Sequence, residues 1–209
     1  LPGALTVVYT DAADQGEKTQ LLRYELDAML CASTNEGEPI AAQLAETAEE
    51  PQVADGREHL VFVVDSKLNI SGSATIRNAI FYFATAEAEI AFSDSDGPYT
   101  LNLESCRLLA APGSSVRVDG RENTVNLNNC LVSDFEVALS SVEGCTFQGG
   151  ETGSFLFAAG DVTDSAFQGV MGGTLSVYGS FTGNLVSDCF DGELYVMGDV
   201  THNTFLGAY

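Results

Sequence analysis

Basic residues are scarce in this chain. Eight Lys and Arg stand against 30 Asp and Glu among 209 residues, a formal net charge of −22. Nucleic-acid binding depends on Lys and Arg to neutralise phosphates, so DNA and RNA are excluded as partners. No run of 18 apolar residues occurs, which excludes a membrane-spanning helix. There is no Trp, and the histidines are two, His59 and His202. The five cysteines form no Cys-x-x-Cys pair, and with so little His they do not read as a zinc site. A phosphate loop, a dinucleotide fingerprint and a Ser-His-Asp arrangement are all missing. No signal peptide is visible and the first residue is Leu1, the pattern of a processed chain or an excised segment. The excess of acid reads first as a solvated surface.

What the chain has instead is a repeat. Val162-Thr163-Asp164-Ser165-Ala166-Phe167, Phe181-Thr182-Gly183-Asn184-Leu185-Val186 and Val200-Thr201-His202-Asn203-Thr204-Phe205 align with one another, and the two steps between them are equal. Ahead of each lies a short apolar alternation and a glycine: Phe155-Leu156-Phe157 before Gly160, Leu175-Ser176-Val177 before Gly179, and Leu194-Tyr195-Val196 before Gly198. The same frame runs backwards. Its first positions are Ile76, Leu103, Leu127, Val142, Val162, Phe181 and Val200, a step that is long at first, shortest from Leu127 to Val142, and nearly constant thereafter. A companion strand recurs as Ile90/Phe92, Val116/Val118 and Phe135/Val137. Short runs of strand formers, broken by Gly, Asp, Ser and Asn at a fixed period, describe a solenoid whose windings lie on one another. A two-sheet sandwich would need hairpin turns, and few Asn-Gly or Asp-Gly pairs stand between matching strands. The expectation is an all-β solenoid of about seven rungs over residues 60–209. At roughly 4.8 Å per rung the column would be on the order of 30 Å tall.

Residues 1–59 differ. Leu5-Thr6-Val7-Val8-Tyr9 reads as a strand. Thr19 to about Ala32 carries Leu21, Leu22, Leu26, Met29 and Leu30 at mostly helical spacing, with Thr19 as N-cap. Leu22, Tyr24 and Leu26 also alternate, which offers a strand over 20–28 instead. Pro39 to about Glu50 is a second helical candidate, stopped by Pro51. The open end of a solenoid exposes core and unpaired backbone, so this segment is expected to form an N-terminal α/β cap, a strand plus one or two helices. At the other end the repeat runs to Tyr209 with no polar helix or charged tail. Either a longer parent chain continues it, or the bare rung docks on a second molecule, head to tail, a contact that makes filaments when the rotation does not close. Leu194, Val196, Val200, Phe205, Leu206 and Tyr209 are the candidate self-association residues.

Few residues invite chemistry. Cys106, Cys130 and Cys145 share one position of the frame with Ser165, Asn184 and Asn203. They read as small residues stacked at one bend, the asparagines as a ladder of hydrogen-bonded amides. Asp161, Ser180 and Asp199 precede the strand and suit turns in which the side chain bonds its own backbone. Hydrolysis by acid and base needs carboxylates about 5–10 Å apart. The candidates are Glu143 with Asp164, and Asp188 with Asp191. A lyase would want a basic group, and Arg107, Arg117 and Arg121 fall on neighbouring rungs. Acidic corners are candidates for Ca²⁺; no other cofactor is expected. Asn69-Ile70-Ser71 is a glycosylation sequon.

The three C-terminal blocks resemble the rungs of right-handed parallel β-helix proteins, the pectate-lyase-like superfold. Val118-Asp119-Gly120-Arg121-Glu122-Asn123-Thr124-Val125 is similar to the Asp-Gly-x-x-Asn-Thr phrase of such repeats, and Leu68–Ile76 to their opening rung. The resemblance covers residues 60–209 and implies a right-handed coil in an extracellular or cell-surface setting. The family includes polysaccharide lyases, hydrolases, phage tailspikes and adhesins, but no catalytic motif of the enzymes is matched here. The expected function is therefore a non-enzymatic structural or adhesive module that self-associates or belongs to a longer chain, with glycan as a candidate ligand. The alternative is a polysaccharide lyase or glycoside hydrolase acting on one face of the coil.

Overall fold

No strand of the repeat is longer than five residues, and some are two. A run that short cannot bury a face alone, so its stability comes from the rungs above and below. The computed structural model describes residues 2–10, 17–25, 30–33, 52–55 and 60–207 apart from 71, 93–97, 150–153 and 190; through residue 60 it describes the backbone course. Among these residues there are strands and no helix.

Strands β1 (Pro2–Thr10) and β2 (Glu17–Glu25) form an antiparallel pair with Leu5 opposite Leu22. The helix expected from Thr19 is thus a strand at its start. The period of two in Leu22 and Tyr24 prevails over the helical spacing because β1 offers a partner of matching length. The helical candidate at Pro39–Glu50 lies outside the described residues, and with it most of the expected cap. β3 (Leu30–Ser33) pairs in parallel with β5 (Leu60–Val64), and β4 (Gln52–Asp55) pairs in parallel with Ala74–Arg77. Parallel stacking therefore reaches back ahead of Leu60.

From Lys67 onward every winding has three strands. The first rung is Lys67–Ile70, Ala74–Arg77 and Ile80–Phe83; the seventh is Glu193–Val196, Val200–Thr201 and Thr204–Leu206. First strands form a seven-stranded sheet (sheet I), second strands an eight-stranded sheet that ends in β4 (sheet II), and third strands a nine-stranded sheet that ends in β5 and β3 (sheet III). All neighbours within these sheets are parallel. Ile76, Leu103, Leu127, Val142, Val162, Phe181 and Val200 stand in one vertical file, as the repeat requires. The short step from Leu127 to Val142 is a genuine rung. Its corners shrink to single residues, Asp134 between Leu131–Ser133 and Phe135–Leu139, and Ser140 before Ser141–Glu143.

Two details of sheet I differ from the sequence reading. Ile90 pairs with Val118 and not with Val116, a shift of two positions that keeps the same face inward. Leu156 pairs with Leu175, so Leu156 and Ala158 face the core while Phe155 and Phe157 face out. The glycine corners set this register: Gly160 lies two positions past Ala158, as Gly179 lies two past Val177. Gly160, Gly179 and Gly198 donate in succession to Ser140 O, Gly160 O and Gly179 O. A Cβ on Gly179 would sit 2.4 Å from the Gly160 carbonyl carbon. The backbones touch here, and the period of glycine follows from that contact.

The interior is one continuous apolar column. Phe81, Phe135, Phe147, Phe167 and Phe181 are fully buried. Phe147 stacks on Phe167 at 5.0 Å, and Phe167 lies 5.8 Å from Phe181. Burying such a ring is worth about 1.5–3 kcal/mol, and each ring pair adds roughly 0.5–1.5 kcal/mol. A second, smaller cluster lies on the outer side of sheet III at its early end, where Val61, Val63, Ile80 and Tyr82 are buried.

Candidate functional site

The bend between sheets II and III repeats one chemistry in every rung. Asn78, Ser105, Asn129, Gly144, Asp164, Gly183 and His202 all take left-handed backbone there. Asn, Asp and Gly are the residues that tolerate it best. These seven occupy the third position of the repeat, a signal present in the sequence that the apolar frame passed over. The next residue points inward and links the rungs. Asn184 Oδ1 accepts from Ser165 N at 2.9 Å, and Asn203 Oδ1 accepts from Asn184 N at 2.8 Å. Asn184 Nδ2 donates to Val162 O at 2.9 Å, and Asn203 Nδ2 donates to Phe181 O at 2.7 Å. This is the expected asparagine ladder.

Serine and cysteine continue it. Ser165 Oγ accepts from Cys145 N at 3.0 Å, Cys145 Sγ accepts from Cys130 N at 3.3 Å, and Cys130 Sγ donates to Leu103 O at 3.3 Å. The thiols are free and buried, acting as rungs of the ladder. The hydrogen bond with Cys130 and then burial hold the Cys106 thiol well above its ordinary value. The contact with Cys106 lowers the Cys130 thiol, but its bond with Cys145 and burial outweigh that and push it up to about 12. Neither is a nucleophile at neutral pH. Asp161 differs from expectation in its partner: its carboxylate accepts from Ser180 N of the next rung at 2.7 Å, not from its own turn.

The seventh rung is the first candidate surface. Leu194, Val196, Val200 and Phe205 occupy core-facing positions, in file with Leu175, Val177, Phe181 and Val186. Their counterparts are buried, yet Leu194, Val200 and Phe205 are 38%, 53% and 50% exposed; Val196 is half-buried. Leu206 is exposed but belongs to the outer face of sheet III, in file with Ser187. Tyr209 lies outside the described residues. A shallow apolar hollow beside this rung is lined by Val170, Leu175, Val186, Cys189, Leu194 and Phe205.

The outer face of sheet I is the second. Charges of opposite sign follow one another up one file: Lys67 pairs with Glu89 at 3.8 Å, and Arg117 pairs with Glu136 at 3.5 Å. Beside them Arg121 holds Asp119 at 3.0 Å, which lowers the Asp119 carboxyl below its ordinary value. Glu89, Arg117, Asp119, Arg121 and Glu136 line an open groove of about 370 Å³ with Phe155 and Phe157. Arg117 and Arg121 therefore come together, while Arg107 stands on the outer face of sheet III. Within the groove-forming phrase, Gly120 donates to Ala138 O and Asn123 Oδ1 accepts from Tyr99 N at 2.8 Å, so this segment is a corner that pins two rungs.

The proposed carboxylate pairs are differently placed. Glu143 faces out on sheet II, where its carboxylate accepts from Asn128 Nδ2 at 3.1 Å, and Asp164 is a bend residue one rung on. Asp188 and Asp191 are both left-handed bend residues. Among the described residues, no three His, Cys, Asp or Glu gather as metal ligands. Compared with protein-family models, with curated proteins and with solved structures, the chain matches none.

Proposed function

We propose that the chain is a non-enzymatic structural or adhesive module of an extracellular or cell-surface protein, and that it self-assembles head to tail through its seventh rung. The observation that carries this reading is the exposure of Leu194, Val200 and Phe205 at positions that are buried in every rung beneath. The three strands of that rung each end a sheet, so they offer both apolar side chains and ladder hydrogen bonds to a further winding. At the other end of the column the three sheets close on Lys67–Ile70, Gln52–Asp55 and Leu30–Ser33, which are parallel strands of the same kind. A net charge of −22 opposes association, and salt screens that repulsion. Sedimentation velocity over a salt and Ca²⁺ series tests the reading. Mass should rise with salt in the wild type and stay monomeric in Val200→Asp/Phe205→Asp. A wild-type monomer under every condition would sink it.

The groove on sheet I favours a second reading, a polysaccharide lyase or hydrolase, because it gathers Arg117, Arg121, Asp119 and Glu136. Both arginines are already paired, which weighs against it. Incubation with a panel of polysaccharides separates the two: new unsaturated or reducing ends mark an enzyme, whereas retention without turnover marks an adhesive module.

A further inference from the structure

The charge of this chain is divided along its axis. All eight Lys and Arg lie between Lys18 and Arg121; residues 122–209 contain 11 Asp and Glu and none of either base. Over the same late rungs, sheet I changes its outer face. The ion-paired file ends at Glu136, and above it come Phe155, Phe157 and, at the adjoining bend, Tyr178, then Tyr195. Phe157 lies 5.1 Å from Tyr178, and Tyr178 lies 6.3 Å from Tyr195. Phe155, Tyr178 and Tyr195 are about half exposed. Glu193 stands on the same face, in file with Thr174 and Phe155.

An exposed row of touching rings is a binding surface in waiting. Its surroundings select the occupant. An anionic chain meets Glu193 and no base in the last three rungs, and Arg117 and Arg121, which share the groove with Phe155 and Phe157, are already paired with Glu136 and Asp119. A second copy laid side by side would set two base-free faces together, each carrying Glu193, which like-charge repulsion opposes. A cationic side chain gains from both features, since an aromatic face attracts a guanidinium or ammonium and the Glu193 carboxylate on the same face meets its charge. We propose that the outer face of sheet I in its last three rungs binds an Arg- or Lys-bearing segment of a partner protein, with cationic heads on Tyr178 and Tyr195. This surface is distinct from the end of the column and stands independently of head-to-tail assembly.

The test is calorimetric titration of the full chain with a decapeptide of alternating Arg and Ser, against a Gly-Ser decapeptide and a neutral oligosaccharide. The Arg peptide should bind, and binding should weaken with salt yet persist at 0.15 M, a Debye length of about 8 Å. Tyr178→Leu/Tyr195→Leu keeps apolar area but removes the rings and should lower affinity about tenfold. Tyr178→Phe/Tyr195→Phe should stay within about twofold of wild type. In wild-type protein, bound peptide should protect Tyr178 and Tyr195, and not Tyr99, from nitration read by mass spectrometry. The proposal is overturned by unchanged affinity in the Leu variant, by unprotected rings, by binding lost entirely at 0.15 M salt, or by a neutral oligosaccharide that binds in the peptide's place.

Discussion

The first three rungs and the last three solve one problem differently. Early windings, Ile76 to Leu103 and Leu103 to Leu127, are long and carry ion pairs such as Arg77–Glu104 and Arg117–Glu136 on their outer faces. Their bend is bridged by thiols. Late windings, Val162 to Phe181 and Phe181 to Val200, are shorter and equal. They pass from sheet I to sheet II through glycine, and bridge the same bend with amides. One outer polar file of sheet II also changes along the column. Arg77, Glu104, Asn128 and Glu143 give way in the same file to Thr163, Thr182 and Thr201. The difference teaches that core and ladder suffice to hold the stack. Corners and outer faces are then free to vary, and that is where the candidate binding surfaces lie.

The comparison is most sharply tested within one file. Phe167→Ala, in the middle of the column, should cost about 3–5 kcal/mol in a urea melt. Phe205→Ala, two windings later in the same file but half exposed, should cost less than about 1 kcal/mol and act mainly on association. Equal losses would mean that the last rung is as enclosed as the rest. Next comes backbone contact. Gly179→Ala meets the rung below and should cost about 3 kcal/mol. Gly113→Ala sits at φ +80° with nothing within 4 Å of its added carbon, and should cost only about 1–2 kcal/mol. If the two were alike, the late corners would be no tighter than the early ones.

Smaller effects separate amide from thiol. Asn184→Ala strips Ser165 N and Val162 O of their partners and should cost about 2 kcal/mol, where Cys130→Ala should cost about 1 kcal/mol. Thermal melts of the two variants decide the order. The smallest effect is on pH. An unfolded thiol releases its proton near 9.0, while folded Cys130 keeps its own up to about 12. Stability from this group is therefore complete below pH 9 and falls as pH rises through that window. Cys130→Ser should flatten the alkaline limb of a Tm–pH curve, and an unchanged limb would show that Cys130 contributes nothing to it.

The vertical files were legible because the side chain at each position must match the one a full winding away: Val162, Phe181 and Val200 declared themselves. The short rung at Val142 was legible in part: Cys145 and Phe147 fall into frame, but so short a step leaves the register from Leu127 open until the corners are seen to shrink to single residues. Phe155 and Phe157 were not, since hydrophobicity points them inward and only the distance to Gly160 reveals that they face water. The strand Glu17–Glu25 was ambiguous, because its two apolar periods differ and the deciding partner is a separate strand, Pro2–Thr10. Exposure at the seventh rung was legible in outline. The groove was not, since it depends on which arginines share a sheet, and Arg107 does not share one with Arg117.

The bend ladder also has a direction. Each side chain in it receives an N–H from the winding before and offers its own backbone N–H to the winding after. Growth can therefore proceed by copying a unit: a duplicate of residues 181–199, spliced in after Asp199, carries its own acceptor at the Asn184 position and its own glycine at the close approach. Such a lengthened molecule should accept the extra storey without redesign of its neighbours, which makes the length of the column an adjustable property rather than a fixed one.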